Sequence, residues 1–90
     1  MFAVIEWSAL SPAQQACLQA AIRCSGLSRW AGHYVGAQHH PQEAGKGHAK
    51  DDVQALRERG LLEADGYPVQ ATDAGIELFN CAQVAREVQP

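Results

Sequence analysis

Four histidines are the side chains of this 90-residue chain best suited to holding a metal ion, and all four lie in its middle third. His39 and His40 are adjacent, and with His48 they could reach one ion from a flexible loop. No pair of histidines has the i, i+4 spacing of a helical site, and Glu43 is the only close carboxylate. We therefore interpret them as solvated loop residues and predict neither a metal site nor a cofactor.

The three cysteines, Cys17, Cys24 and Cys81, are an odd number and form no C-x-x-C pair. This spacing argues against a disulfide framework and favours reduced thiols in the cytoplasm. Cys17 and Cys24 are seven residues apart, so they fall on one side of a helix after two turns. Free cysteine is commonly a small core residue, and we predict that both are buried.

The sequence contains none of the common catalytic motifs. The Gly45-Lys46-Gly47 run lacks the upstream glycine and the Ser/Thr of a phosphate-binding loop, and Gly-x-Ser-x-Gly does not occur. A domain of this size also has little room for a deep pocket. We predict a protein that is not an enzyme.

Charge is unevenly distributed along the chain, whose net charge is −3. Residues 23–59 carry six basic and four acidic side chains, a net of +2, whereas the remainder carries one base and six acids, a net of −5. A mildly basic middle is the weak form of the electrostatic footprint that nucleic-acid-binding domains show.

The pattern predicts a single α+β domain over residues 1–90, with no segment apolar enough to span a membrane and no signal peptide. Residues 1–10 form an extended or irregular lead. Ser11-Pro12 is a helix start, and the helix runs to about Cys24. Residues 27–35 form a strand, and residues 36–47 form a long flexible loop.

A second helix begins at His48 or Lys50 and runs to Arg59. Gly60 then stops it and lets Leu61 fold back on Leu56. Strands near 61–64 and 67–71 form a hairpin around the turn at Asp65-Gly66. Thr72 caps a last helix that runs from residue 73 to about 87 and presents Ile76 and Phe79 to the core.

The aromatic residues of the chain are expected to pack in the core and the hairpin rather than to form stacking platforms for nucleic-acid bases. This interpretation covers five side chains: Trp7, Trp30, Tyr34, Tyr67 and Phe79.

The stretch from Lys50 to Phe79 resembles a winged helix domain of bacterial or phage type. The resemblance is carried by Val53 and Leu56, the run Arg59-Gly60-Leu61-Leu62, the Asp65-Gly66 turn, Val69, and Thr72-Asp73-Ala74-Gly75. It covers about a third of the chain, in the middle of the predicted element order helix, strand, helix, hairpin, helix. The place of the family's second helix is taken here by the loop 36–47.

The resemblance implies that residues 50–59 occupy the position of a recognition helix, which would enter the major groove of double-stranded DNA. Lys50, Arg57 and Arg59 would then neutralise phosphates, and Gln54 and His48 would lie near base edges. Arg23, Arg29 and Lys46 would extend the positive surface. The protein would be a transcriptional regulator or an accessory factor.

Acidic residues on the same unit keep a second interpretation open. Glu63 and Asp65 lie on the wing, where carboxylates would repel phosphate, and Asp51 and Asp52 suit the first turn of a helix. A winged helix also serves in protein contacts. The alternative is therefore a protein-interaction module or homodimer with the same fold.

Overall fold

The computed structural model describes residues 7–88, with side chains described through Ala82. It is a mixed α+β domain, as predicted. After a 3-10 turn at Trp7–Ala9 the elements are α1 (Pro12–Arg23), β1 (Leu27–Trp30), β2 (His33–Gly36), α2 (Lys50–Glu58) and α3 (Asp73–Val88). Residues 1–6 of the predicted lead lie outside this range. No helix in the described part is long and apolar enough to span a membrane.

Helix α1 begins where the sequence predicts, at a complete capping box. The Ser11 hydroxyl accepts from the amide of Gln14, and the Gln14 side chain accepts from the amide of Ser11, at 3.2 Å each. Pro12 occupies the first turn, where a missing amide hydrogen is harmless. The helix ends at Arg23, and the amide of Gly26 returns to the Ala21 carbonyl at 2.8 Å.

The stretch predicted as one strand is a hairpin of two strands. β1 and β2 run antiparallel around a turn at Ala31 and Gly32, with Leu27 opposite Gly36 and Trp30 opposite His33. Gly32 has a φ of +85°, a conformation that glycine adopts without steric cost. Gly32 thus divides the predicted strand into two.

The end of α2 matches the predicted Schellman stop. The amide of Leu61 donates to the Leu56 carbonyl at 2.9 Å, and the amide of Gly60 donates to the Arg57 carbonyl at 3.0 Å. Gly60 has a φ of +75°, as this motif requires. Leu61 and Leu56 are both buried in the same core cluster.

The predicted hairpin after α2 forms without regular strands. Leu62 and Ala71 make a single bridge, and the amide of Glu63 donates to the Gln70 carbonyl at 2.9 Å. Val69 instead pairs with Leu27, through reciprocal hydrogen bonds of 2.8 and 2.9 Å. We call residues 61–72 the return segment. It extends the hairpin sheet by one residue pair beside β1.

The core lies where α1, α2, the hairpin base and the return segment meet. It includes Cys17 and Cys24, as predicted, and Phe79 is 7% exposed, also as predicted. Ile76, by contrast, is 38% exposed. The first turn of α3 instead brings the buried Gly75 against the core, where a Cβ atom would meet the Leu61 carbonyl and the Leu18 side chain. Thr72 caps this helix by accepting from the amide of Gly75 at 3.1 Å.

Gly75→Ala is expected to destabilise the protein, because the added methyl group has no space between α3 and the return segment. We expect a loss of about 2 kcal/mol in the free energy of unfolding, although alanine favours a helix over glycine by about 1 kcal/mol. Denaturant unfolding would measure it. Glu77→Ala, an exposed change in the same helix, is the control. Equal stability of both variants would contradict the close packing at Gly75.

Candidate nucleic-acid interface

The outer face of α2 is open to solvent along its whole length. Lys50, Gln54 and Arg59 are exposed, as are the acids Asp51 and Glu58. Gln54 contacts Glu58 at the limit of hydrogen-bond distance, 3.5 Å. This face therefore carries two bases and two acids, so its charges are balanced.

Arg57 is not on that open face. It is half-buried, and its Nε donates to the Glu63 carbonyl at 3.1 Å. Arg57 therefore connects α2 to the return segment. Arg59 and Lys50 are nine residues apart along the chain, which places them roughly 13 Å apart along a helix axis. The predicted phosphate-binding residues of α2 are not one cluster.

His48 lies inside the protein rather than beside Lys50 and Gln54 on the exposed surface. It is 7% exposed, its backbone pairs with Tyr34 at 2.7 and 2.8 Å, and its Nε2 has no hydrogen-bond partner. Burial lowers the pKa of His48 and outweighs the opposing effect of the Glu43 carboxylate. A neutral, enclosed imidazole does not contact a ligand at the surface, so we leave it out of the interface.

Two of the predicted residues meet at the end of the hairpin. Arg29 of β1 and Lys50 at the start of α2 line an open groove of about 230 Å³ together with Trp30, His33 and Tyr34. We call this the tip groove. Ala31 and Gly32 complete its lining, so within the described part of the chain no carboxylate contributes to it.

The aromatic residues, which were predicted to pack in the core and the hairpin, divide into a packed set and an exposed set. Trp7 lies against Phe79 with ring centroids 5.8 Å apart, and Tyr34 packs on the core. Trp30 is 68% exposed and Tyr67 is 63% exposed. For Trp30 the cause is position, because it is the last residue of β1, beside the turn at the end of the hairpin.

The pairing register of β1 and β2 determines which face of the hairpin each of these side chains occupies. Arg29 is opposite Tyr34 and Trp30 is opposite His33, and residues directly opposite each other in an antiparallel pair share a face. On the other side of β1, the amide of Arg29 donates to the Tyr67 hydroxyl at 2.9 Å. Arg29 is thus flanked by two tyrosines, and Trp30 and His33 are side by side on the opposite face.

A second and larger groove, of about 410 Å³, lies between the hairpin and the loop at residues 36–47. We call it the loop groove. Trp30 and His33 form its hairpin side, and His39, His40 and Lys46 are on its loop side. The His40 Nδ1 accepts from the amide of Gln42 at 3.2 Å, which leaves Nε2 as the protonated nitrogen of the neutral ring.

The loop is anchored by Glu43, a feature that the sequence did not reveal. The Glu43 side chain is only 2% exposed and pairs with Arg23 at 3.0 Å. Gln19 donates to the same carboxylate oxygen, Oε2, at 3.3 Å, whereas Oε1 has no partner. Because Arg23 compensates its charge, Glu43 contributes little repulsion toward an anion in the loop groove.

Residues 7–88 contain no site for metal ligation or for thiol chemistry. No group of three or more His, Cys, Asp or Glu side chains is placed there to hold an ion. Burial raises the pKa of the Cys17 thiol to about 12 and also raises that of Cys24. Cys81 is exposed, and all three thiols are free.

Comparison of the chain with protein-family models, with curated proteins and with solved structures found no match. Trp30 is the interface residue that sequence reasoning did not place there. A signal for it exists in the Ala31-Gly32 dipeptide, which marks a turn beside it.

The buried His48 predicts a loss of stability in mild acid. In the unfolded chain its pKa is near 6.5, and burial lowers the pKa of His48 below that value in the folded protein. As pH falls through about 6.5 the unfolded state therefore takes up the proton more readily than the folded state, so stability decreases by up to about 1.4 kcal/mol per pH unit. Urea unfolding between pH 7.5 and 5.5 would measure this.

His48→Leu should flatten that pH dependence, since an apolar side chain replaces a ring whose Nε2 is already unpaired. The matched control is His39→Gln, an exposed change that should leave the slope as in the wild type. Equal slopes for wild type and His48→Leu would show that His48 titrates alike in both states.

The burial of the thiols predicts how many of them react with a labelling reagent in the folded protein. Ellman's reagent should label one thiol per folded chain, Cys81, because the Cys17 and Cys24 thiols are buried and protonated. In denaturant it should label all three. Cys81→Ser should abolish the rapid reaction of the folded chain, and rapid labelling of that variant would contradict the burial of the other two.

Proposed function

We propose that this protein is a non-enzymatic nucleic-acid-binding domain whose contact surface is the tip groove. The observation that carries the proposal is that Arg29 and Lys50 line one groove together with the exposed Trp30 and the half-buried Tyr34, with no carboxylate in the lining among the described residues. Cations supply most of the affinity for a phosphate backbone, and aromatic rings add base contacts. Lys46, exposed at the loop groove next to it, extends the positive surface.

The resemblance to winged helix domains supports the same proposal. Helix α2, the glycine stop, the return segment and the Thr72-capped α3 follow one another in the expected order. The pairing of Val69 with Leu27 joins the return segment to the first strand. In the proposed winged-helix-like arrangement, the loop at residues 36–47 stands where the family has its second helix, and the β1–β2 hairpin supplies the contact surface.

The tip groove fits a polyanion better than the outer face of α2 does. Lys50 and Arg59 on that face are offset by Asp51 and Glu58, and carboxylates close to phosphates reduce affinity. A helix with balanced charge has little electrostatic attraction for a duplex major groove. The proposed role is that of a regulatory or accessory factor, including transcription regulation, in the cytoplasm, where free thiols persist.

The exposure of Trp30 and Tyr67 supports a second candidate, a protein-interaction module or a homodimer. Exposed aromatic residues are frequent binding hot spots, and these two are 68% and 63% exposed. The charge around them separates the candidates. An interface with protein does not require Arg29 and Lys50 together, and its affinity would depend weakly on salt.

Salt dependence tests the proposal directly. Binding of a labelled 20-nucleotide single strand and of the matching duplex would be measured by fluorescence anisotropy at about 50 and 200 mM salt. If Arg29, Lys46 and Lys50 each neutralise one phosphate, affinity should fall roughly 20- to 40-fold between these salt concentrations. The double variant Arg29→Ala/Lys50→Ala should lose about two-thirds of this salt slope.

Arg59→Ala is the matched control, because Arg59 is exposed at the opposite end of α2. It should leave affinity and slope unchanged. A loss as large as that of the double variant would instead place the interface on the outer face of α2. Absence of binding at 50 mM salt, together with a concentration-dependent doubling of mass in sedimentation, would favour the homodimer.

A further inference from the structure

We infer that the proposed interface takes single-stranded nucleic acid, with one unstacked base against Trp30 and the adjoining phosphates on either side of the hairpin tip. This inference rests on the proposed function and specifies its ligand. It depends on the position of Trp30, on the charges around that side chain and on the shape of the two grooves.

Trp30 lies between the two grooves and lines both of them, as does its cross-strand neighbour His33. On one side the tip groove supplies Arg29 and Lys50, and on the other the loop groove supplies Lys46. A nucleotide strand that crosses the tip therefore meets basic side chains, then an aromatic ring, and then another basic side chain. This is the arrangement by which single strands are held, with cations along the backbone and an aromatic platform between them.

A duplex cannot use this arrangement. Its bases are stacked on one another and present only their edges, whereas an exposed indole ring contributes through its face. Trp30 is the most exposed large apolar side chain among the described residues, at 68%. In water that ring is unpartnered. An unstacked base covers it, and any of the four bases serves because each has a π face.

The dimensions of the grooves also favour a single base over a larger ligand. The volume of the tip groove, about 230 Å³, is below the range for ligand pockets, roughly 300–1,000 Å³, and that of the loop groove, about 410 Å³, is in the lower part of it. Both are open rather than enclosed, so a strand can pass through them. The His40 Nε2–H is a donor on the wall of the loop groove and suits a phosphate or a base carbonyl oxygen.

The two tryptophans of the chain allow the contact to be observed directly. Trp7→Phe leaves Trp30 as the only tryptophan, so its fluorescence reports on the proposed stacking partner alone. This variant would be titrated with a 12-nucleotide single strand and with a hairpin duplex of the same composition, both at 50 mM salt. Trp30→Ala and Trp30→Phe would be measured by anisotropy with the same two ligands.

We expect the single strand to bind at least tenfold tighter than the duplex and to quench Trp30. Trp30→Ala should weaken single-strand binding by about tenfold or more, whereas Trp30→Phe, which keeps an aromatic face, should retain most of the affinity. Because Trp30 is largely exposed, both variants should melt at the wild-type temperature. That comparison excludes unfolding as the cause of any loss.

Two results would overturn the inference in distinguishable ways. Duplex binding as tight as single-strand binding, with Trp30→Ala unchanged and the Arg29→Ala/Lys50→Ala loss intact, would remove the single-strand assignment and leave the proposed function standing. If neither the single strand nor the duplex binds at 50 mM salt, both the single-strand assignment and the proposed function are contradicted. Quenching of Trp30 fluorescence without any loss of single-strand affinity in Trp30→Ala would also refute the inference, since the ring would then lie near the ligand without binding it.

Discussion

Close packing of α1 against α2 is the constraint on which the rest of the molecule depends. The inward face of α1 consists mainly of small side chains, with Cys17, Ala20 and Ala21 all buried. Small residues let a neighbouring helix approach closely, and Val53 and Leu56 of α2 fill the space between the two. The resulting core is thin, as expected for 90 residues. It supports the base of the hairpin and leaves the tip projecting beyond it.

Two local contacts fix the segments that surround the projecting hairpin tip and so define the surface there. The reciprocal backbone hydrogen bonds between Tyr34 and His48 hold β2 beside the start of α2, and so they bring Lys50 into the lining of the same groove as Arg29. The ion pair between Arg23 and Glu43 holds the loop against the end of α1, and so it forms the second wall of the loop groove. Both contacts lie behind the surface, and neither group need meet the ligand that we propose.

Local signals in the sequence were sufficient for the helices and their ends. The capping box at Ser11, the Schellman stop at Gly60 and the Thr72 cap are each decided by a few neighbouring residues. The burial of Cys17 and Cys24 follows from helical periodicity in the same way. The long loop at residues 36–47 was also predictable, because its glycines and proline support no periodic element.

Tertiary structure alone decided which side chains meet. The sequence by itself determined that Arg29, Lys46 and Lys50 are among the six basic residues of the middle region, but their separation in the chain does not place them together. The pairing of Val69 with Leu27 turns the expected wing into a short extension of the sheet, and the tight turn at Gly32 moves Trp30 from the core to the tip. Burial of His48 has the same origin, since it follows from pairing with a distant strand. Pairing between distant segments depends on how all elements pack at once, and local sequence propensity does not predict it.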